Sequence, residues 1–131
     1  MKLDHIGIAV KKLEISDKLF SKLLNRVPFK TETIVSESVK TSFYHTGESK
    51  IELLEPTNED SPIAKFLNKK GEGIHHIAFE VDDIEKEINR LEKEGFSFVG
   101  EKIRIGNNQK RIAFLHPKQS NGVLIELCEK K

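Results

Sequence analysis

Four residues in this chain are of the kinds that hold a divalent cation, and they come as two pairs at matching places. His5 stands in the run Leu3-Asp4-His5-Ile6-Gly7-Ile8-Ala9-Val10, and His76 stands 71 residues later in Ile74-His75-His76-Ile77-Ala78-Phe79-Glu80-Val81. Glu52 lies in Ile51-Glu52-Leu53-Leu54-Glu55, and Glu126 lies 74 residues later in Ile125-Glu126-Leu127-Cys128-Glu129. Both acids sit in otherwise apolar runs, where burying an unpaired carboxylate costs on the order of several kcal/mol, so each needs a partner. A shared cation would satisfy both. Two imidazoles and two carboxylates suit a divalent first-row metal in octahedral geometry, with two positions left for water or substrate. A lone strand His is more often a hydrogen-bonded core or surface residue, and a lone Glu more often faces solvent. It is their joint recurrence that carries the metal reading.

The elements that must position these residues repeat as well. In a strand the side chains alternate, so His5 shares a face with Gly7 and Ala9, and His76 with Ala78 and Glu80; small neighbours leave room beside each imidazole. Each first strand leads into a helical spacing, Ile15, Leu19, Leu23 with Phe20 and Leu24 in the first half, and Ile84, Ile88, Leu91 in the second. Asp82 or Asp83 is a plausible N-cap of the second helix and Gly95 its stop. Three strand-like runs follow in each half, about 28–36, 39–46 and 49–55, then about 96–104, 110–116 and 123–128. The expected fold is therefore α+β, two tandem βαβββ modules forming a concave sheet around a metal site. One domain spans 1–131: module 1 over about 1–56, a linker helix over about 57–72 with Ser61 as N-cap and Pro62 at N1, and module 2 over about 73–131. The drift from 71 to 74 places a longer loop in the second half, at Gly106-Asn107-Asn108 or at Ser120-Asn121-Gly122.

The remaining reactive residues carry weaker signals. His75 falls on the strand face opposite His76 and reads as structural. His45 and His116 close the third strands; His116-Pro117 reads as a turn, with a substrate-facing role open for His116. Cys128, the single cysteine, lies in Val123-Leu124-Ile125-Glu126-Leu127-Cys128 and reads as a packed strand residue. A lone thiol cannot pair within the chain, which agrees with a reducing, cytoplasmic compartment. The start MKLDHIGIAV has one Lys before a short apolar run and no small-residue cleavage site, and no window is long enough to span a bilayer. With 22 Lys and Arg against 21 Asp and Glu, the net charge is +1 and no basic stretch exceeds short pairs, so nucleic acid is not an expected partner.

Six blocks in register, DHIGIAV, KIELLEP, SPIAKFL, GEGIHHIAFEVDDI, IAFLHPK and GVLIEL, resemble the methylmalonyl-CoA epimerase family over nearly the whole chain. That family lies in the vicinal oxygen chelate superfamily, built from paired βαβββ modules and also holding glyoxalase I. The resemblance places His5, Glu52, His76 and Glu126 on the metal positions, the second of which varies between Gln and Glu in the family. It implies one divalent ion per chain, with Co2+ first and Mn2+, Ni2+ or Zn2+ acceptable, an acyl-CoA substrate, and a homodimer. The implied reaction interconverts the 2R and 2S forms of methylmalonyl-CoA by removing the C2 proton through a metal-stabilised enediolate, with Glu126 as both ligand and base. Epimerisation needs a second acid/base on the other face of C2, and the chain has Thr41 where the best-described member of the family carries a Glu. Glu52, Glu37 or a metal-bound water are the alternatives. Arg104, Lys110, Arg111 and Lys118 lie near turns where CoA phosphates could be met, and none is assigned. The rival readings are a glyoxalase I-type lactoylglutathione lyase and a non-catalytic small-molecule-binding member of the superfamily. A ring-cleaving dioxygenase, needing two His and one carboxylate, is disfavoured by the fourth ligand.

Overall fold

A computed structural model describes residues 1–106 and 109–131. They form β1 (Lys2–Ala9), α1 (Leu13–Leu24), β2 (Lys30–Ile34), β3 (Val39–Thr46), β4 (Ser49–Pro56), α2 (Pro62–Lys70), β5 (Gly73–Val81), α3 (Ile84–Lys93), β6 (Arg104–Ile105), β7 (Arg111–Phe114) and β8 (Ile125–Glu129). Two compact units result: His5–His75, and His76–Lys131 together with Met1–Asp4.

In the first unit the strand order is β2-β3-β4-β1. β2, β3 and β4 are antiparallel neighbours, and β1 runs parallel to β4. Side-chain alternation divides this sheet into two faces. Val10, Leu53 and Tyr44 pack on one face with Leu13 of α1, joined by Phe20 and Leu24. Tyr44, wholly buried, donates its hydroxyl to Asp17 Oδ1 at 2.6 Å, and Ser42 Oγ donates to Asp17 Oδ2 at 2.9 Å. Burial and the Asp17 hydrogen bond push the Tyr44 hydroxyl up to about 12. On the other face Ala9, Val39 and Leu54 pack against Ile63 of α2, with Phe66 and Leu67 beside it. α2 starts where Ser61 Oγ accepts from Ile63 N at 3.1 Å, with Pro62 in the first turn, as the sequence predicts. Because α2 covers only one end of this face, the end bearing His5 and Glu52 is left to other contacts.

In the second unit the order is β5-β8-β7-β6, with β5 parallel to β8. Ile84, Ile88 and Leu91 of α3 pack on Val81, Ala113, Leu115 and Leu127, while Ala78, Ile112 and Cys128 gather with Phe114 on the opposite face. Of the two expected N-caps it is Asp83 that accepts, from Lys86 N at 3.1 Å.

The first N–H of α1 and that of α3 each meet a strand carboxylate, a feature that recurs between the halves. Glu55 of β4 accepts from Leu13 N at 2.6 Å, and Glu129 of β8 accepts from Ile84 N at 3.0 Å. This matters most for α1, whose N-cap is Lys12 with no side-chain cap of its own.

Three expectations change in detail. The first, the run 28–36, is strand only over Lys30–Ile34, because Val35–Glu37 winds into a short 3-10 turn ending on Ser38 at φ 53°. The second, the run 96–104, keeps a single bridge, Phe98 to Leu115, and the two-residue β6, because Gly100 at φ 61° breaks the extended chain. The third is the longer loop. Phe43 pairs with Glu52 and Phe114 with Glu126, and these two Phe are still 71 residues apart, so the extra residues enter after β7. They form the turn at Pro117–Gly122, closed by Gly122 N to Pro117 O at 2.7 Å. The alternative loop 106–108 includes Asn107 and Asn108, which lie outside the described residues.

Candidate metal centre

In the first unit, the parallel pairing of β1 with β4 sets Gly7 opposite Glu52. Gly7 has no side chain, so nothing on β1 separates the Glu52 carboxylate from the imidazole two residues back. His5 Nε2 lies 3.3 Å from Glu52 Oε1, with both residues buried. In the second unit, the pairing of β5 with β8 sets Ala78 opposite Glu126. His76 Nε2 lies 3.7 Å from Glu126 Oε1, again with both buried. Strand direction, register and the small residue are thus the same in both halves.

The repeat extends to a residue type that sequence reasoning missed. Phe43 crosses Glu52 on β3, and Phe114 crosses Glu126 on β7. The His5 ring meets Phe43 edge to face at 6.3 Å and 86°, and the His76 ring meets Phe114 at 6.5 Å and 86°. Each imidazole thus meets an aromatic ring edge to face. The signal was present, since the Phe spacing equals the His spacing.

The donor set fits a metal. Two adjacent ligand atoms, each about 2.1 Å from one octahedral ion, lie about 3 Å apart, close to the separation in each His–Glu pair. Imidazole nitrogen with carboxylate oxygen suits a divalent first-row cation.

The other candidates separate clearly. The His75 ring sits edge-on to Phe66 at 5.1 Å, a packing contact. His45 stacks on Phe29 at 3.7 Å, and His116 is exposed at the start of the Pro117 turn. Burial pushes the Cys128 thiol up to about 12, so it is a neutral packed group and not a nucleophile at neutral pH. Arg111 forms a two-pronged ion pair with Glu129, at 2.9 and 2.8 Å, and lies 3.4 Å from Glu85. The Arg111 guanidinium, followed by the Ile84 N–H, holds the Glu129 carboxyl below the usual range. Arg104 donates to Val99 O at 3.0 Å and lies over the Phe114 ring. Lys118 is exposed. Glu37, one of the alternatives for the second base, is in the 3-10 turn after β2. Thr41 is wholly buried on β3.

The chain is similar to several known proteins. The model of the glyoxalase/bleomycin resistance protein/dioxygenase superfamily matches residues 4–114. The ethylmalonyl-CoA/methylmalonyl-CoA epimerase of Cereibacter sphaeroides is 39% identical over 96% of this chain and 96% of its own length. The crystal structure of methylmalonyl-CoA epimerase from Mycobacterium tuberculosis superposes with a TM-score of 0.93 at 36% identity, covering 99% of this chain and 88% of that one. A variant of the Streptomyces coelicolor methylmalonyl-CoA epimerase in complex with 2-nitronate-propionyl-CoA gives 0.91 at 36% identity, covering 99% and 94%.

Proposed function

This chain belongs to the glyoxalase/bleomycin resistance protein/dioxygenase superfamily, and from that membership we propose that it epimerises methylmalonyl-CoA at C2. The observation that carries the reading is the buried His–Glu pair that recurs in both halves, in a chain that covers 96% and 88% of two relatives bearing the epimerase name. The comparisons lend no comparable weight to the lactoylglutathione lyase alternative.

His5, Glu52, His76 and Glu126 would together hold one divalent ion per chain, cobalt being the first to test and manganese, nickel or zinc acceptable by ligand type. Such an ion would supply Lewis-acid neutralisation of the negative charge that develops as C2 loses its proton, on the order of several kcal/mol. Glu126 takes the C2 proton, or returns it, on one face. Burial of both carboxylates keeps the electrostatics strong.

An acyl-CoA substrate is supported by the 2-nitronate-propionyl-CoA held by the Streptomyces protein. A homodimer is supported by α1. Its inward face packs Leu13, Phe20 and Leu24, whereas Ile15, Leu19 and Leu23 of the expected periodic set form an outer stripe, continued by Val27, that is 61–77% exposed. Among the described residues no helix is long and apolar enough to cross a membrane, and the free Cys128, the single cysteine of the chain, supports a cytoplasmic setting.

The test is deuterium exchange at C2 of methylmalonyl-CoA in D2O, with metal-stripped protein and with added cobalt, read by mass and chirality. Cobalt-dependent exchange with inversion is expected. No exchange with any of the four metals, alongside turnover of methylglyoxal with glutathione, would replace this reading with the lyase.

A further inference from the structure

The first unit holds two polar atoms that the reading above leaves unused. Glu32 of β2 stands directly opposite Thr41 of β3, and Thr41 stands opposite Leu54 of β4. Lys30 and Phe43, Phe43 and Glu52 are the next pairs along the same ladders. Alternation therefore sends Glu32, Thr41, Phe43 and Glu52 to one face, the face that carries His5. Glu32 Oε2 lies 3.5 Å from Lys30 Nζ. Glu32 Oε1 and Thr41 Oγ1 are both buried, and neither has a hydrogen-bond partner among the described residues. The Glu32 side chain is 29% exposed and its second oxygen faces Lys30, so only its inward oxygen is unsatisfied; an unsatisfied buried polar atom costs about 1–3 kcal/mol. Atoms kept at that cost call for a functional account.

The duplicated architecture does not require them. In the second unit the corresponding cross-strand pair is Arg104 with Ile112, an apolar residue beside an arginine that donates to Val99 O. Where the halves agree they build the His–Glu–Phe cluster; where they part, the first half alone places an acid beside it. Thr41 is also shorter than the Glu that the resemblance expects there. Directly opposed side chains start about 5 Å apart at Cβ, so a Glu one strand over can extend across a Thr.

We propose that Glu32 is the second acid/base of the epimerisation, serving the face of C2 that Glu126 does not. This rests on the epimerase reading. In one direction the C2–H bond breaks as Glu126 takes the proton, and the electron pair passes into the enolate. Protonated Glu32 then gives its proton to the opposite face of C2, forming the new C2–H bond and leaving a carboxylate. The reverse reaction exchanges the roles, and each carboxyl regains its starting state by proton exchange with solvent. Glu52 stays a ligand.

The experiment uses the cobalt-loaded full chain with separate 2R and 2S methylmalonyl-CoA in D2O. Glu32→Gln is expected to lower inversion by about 100-fold or more, the usual scale for one general acid/base. Deuterium should still wash into the single epimer whose proton Glu126 removes, with configuration retained. Cobalt content by elemental analysis and the Tm should match the parent protein, and adding Thr41→Glu to Glu32→Gln should restore inversion. Two results would overturn the assignment: Glu32→Gln inverting within about threefold of the parent, or losing exchange of both epimers equally. Failure of the parent protein itself to exchange either epimer would sink the epimerase reading first, and is seen before any substitution is made.

Discussion

The two halves of this chain are alike at one layer and unlike at the next. Around each first strand they share a His, a small residue opposite a Glu, and a Phe edge-on to the imidazole. One step along the same sheets they diverge: Thr41 with Glu32 in the first half, Ile112 with Arg104 in the second. Like groups in two halves cannot by themselves treat the two faces of a carbon differently; the proposed reaction needs a group that only one half has. In the proposed mechanism the shared layer supplies the ligands and the first base, Glu126, and the divergent layer supplies the second acid/base, Glu32.

The sharpest way to break that comparison is to neutralise the two corresponding acids separately. Glu126→Gln should lower C2 deuterium exchange of the epimer it deprotonates by about 1,000-fold even with excess cobalt, since it removes that base. Glu52→Gln should be far milder, since the resemblance accepts Gln at this metal position, and excess cobalt should restore whatever exchange is lost. Equal loss in both variants, unrescued by cobalt, would dissolve the proposed division of labour. Next in size are the two aromatic rings. Phe43 is buried at 6% exposure and Phe114 only partly, so Phe43→Ala should destabilise by about 3 kcal/mol in urea melts and Phe114→Ala by roughly half as much.

Smaller effects follow from single groups that only one half contains. The Tyr44 hydroxyl is held protonated to about 12 against an ordinary 10, so the fold binds that proton more tightly than the unfolded chain does. Its stabilising contribution is full below pH 10 and is lost as pH rises towards 12. Tyr44→Phe should flatten the fall in Tm over that window. Smallest of all, Thr41→Val should raise stability by about 1 kcal/mol, because a dry hydroxyl is exchanged for an isosteric methyl. If Ile112→Thr cost nothing in return, the polar atom at this layer would be a matter of indifference to the fold.

Much of this was legible in the sequence because duplication gives every residue a counterpart. The offset of 71 located the first strands, the helices and, had it been followed across β3 and β7, Phe43 and Phe114. The outward stripe of α1 was not legible: Ile15, Leu19 and Leu23 keep helical spacing, but spacing alone does not say which of two apolar stripes meets the sheet. The shortening of the run 96–104 turned on the left-handed backbone at Gly100. Glu32 was invisible for a different reason. Its place opposite Thr41 depends on the β2–β3 register, and a one-residue slip would have turned it to the helix side.

The same sensitivity bears on Glu55 and Glu129. Each lies three residues beyond a proposed ligand on the same strand, on the opposite face, and accepts from the first N–H of its helix. If β4 slipped by one position, Glu52 would leave its face and Glu55 would leave Leu13 in the same movement. A misaligned strand therefore forfeits its helix start as well as its ligand, so errors in strand alignment are penalised during folding, before any ion or substrate is available to select the correct one.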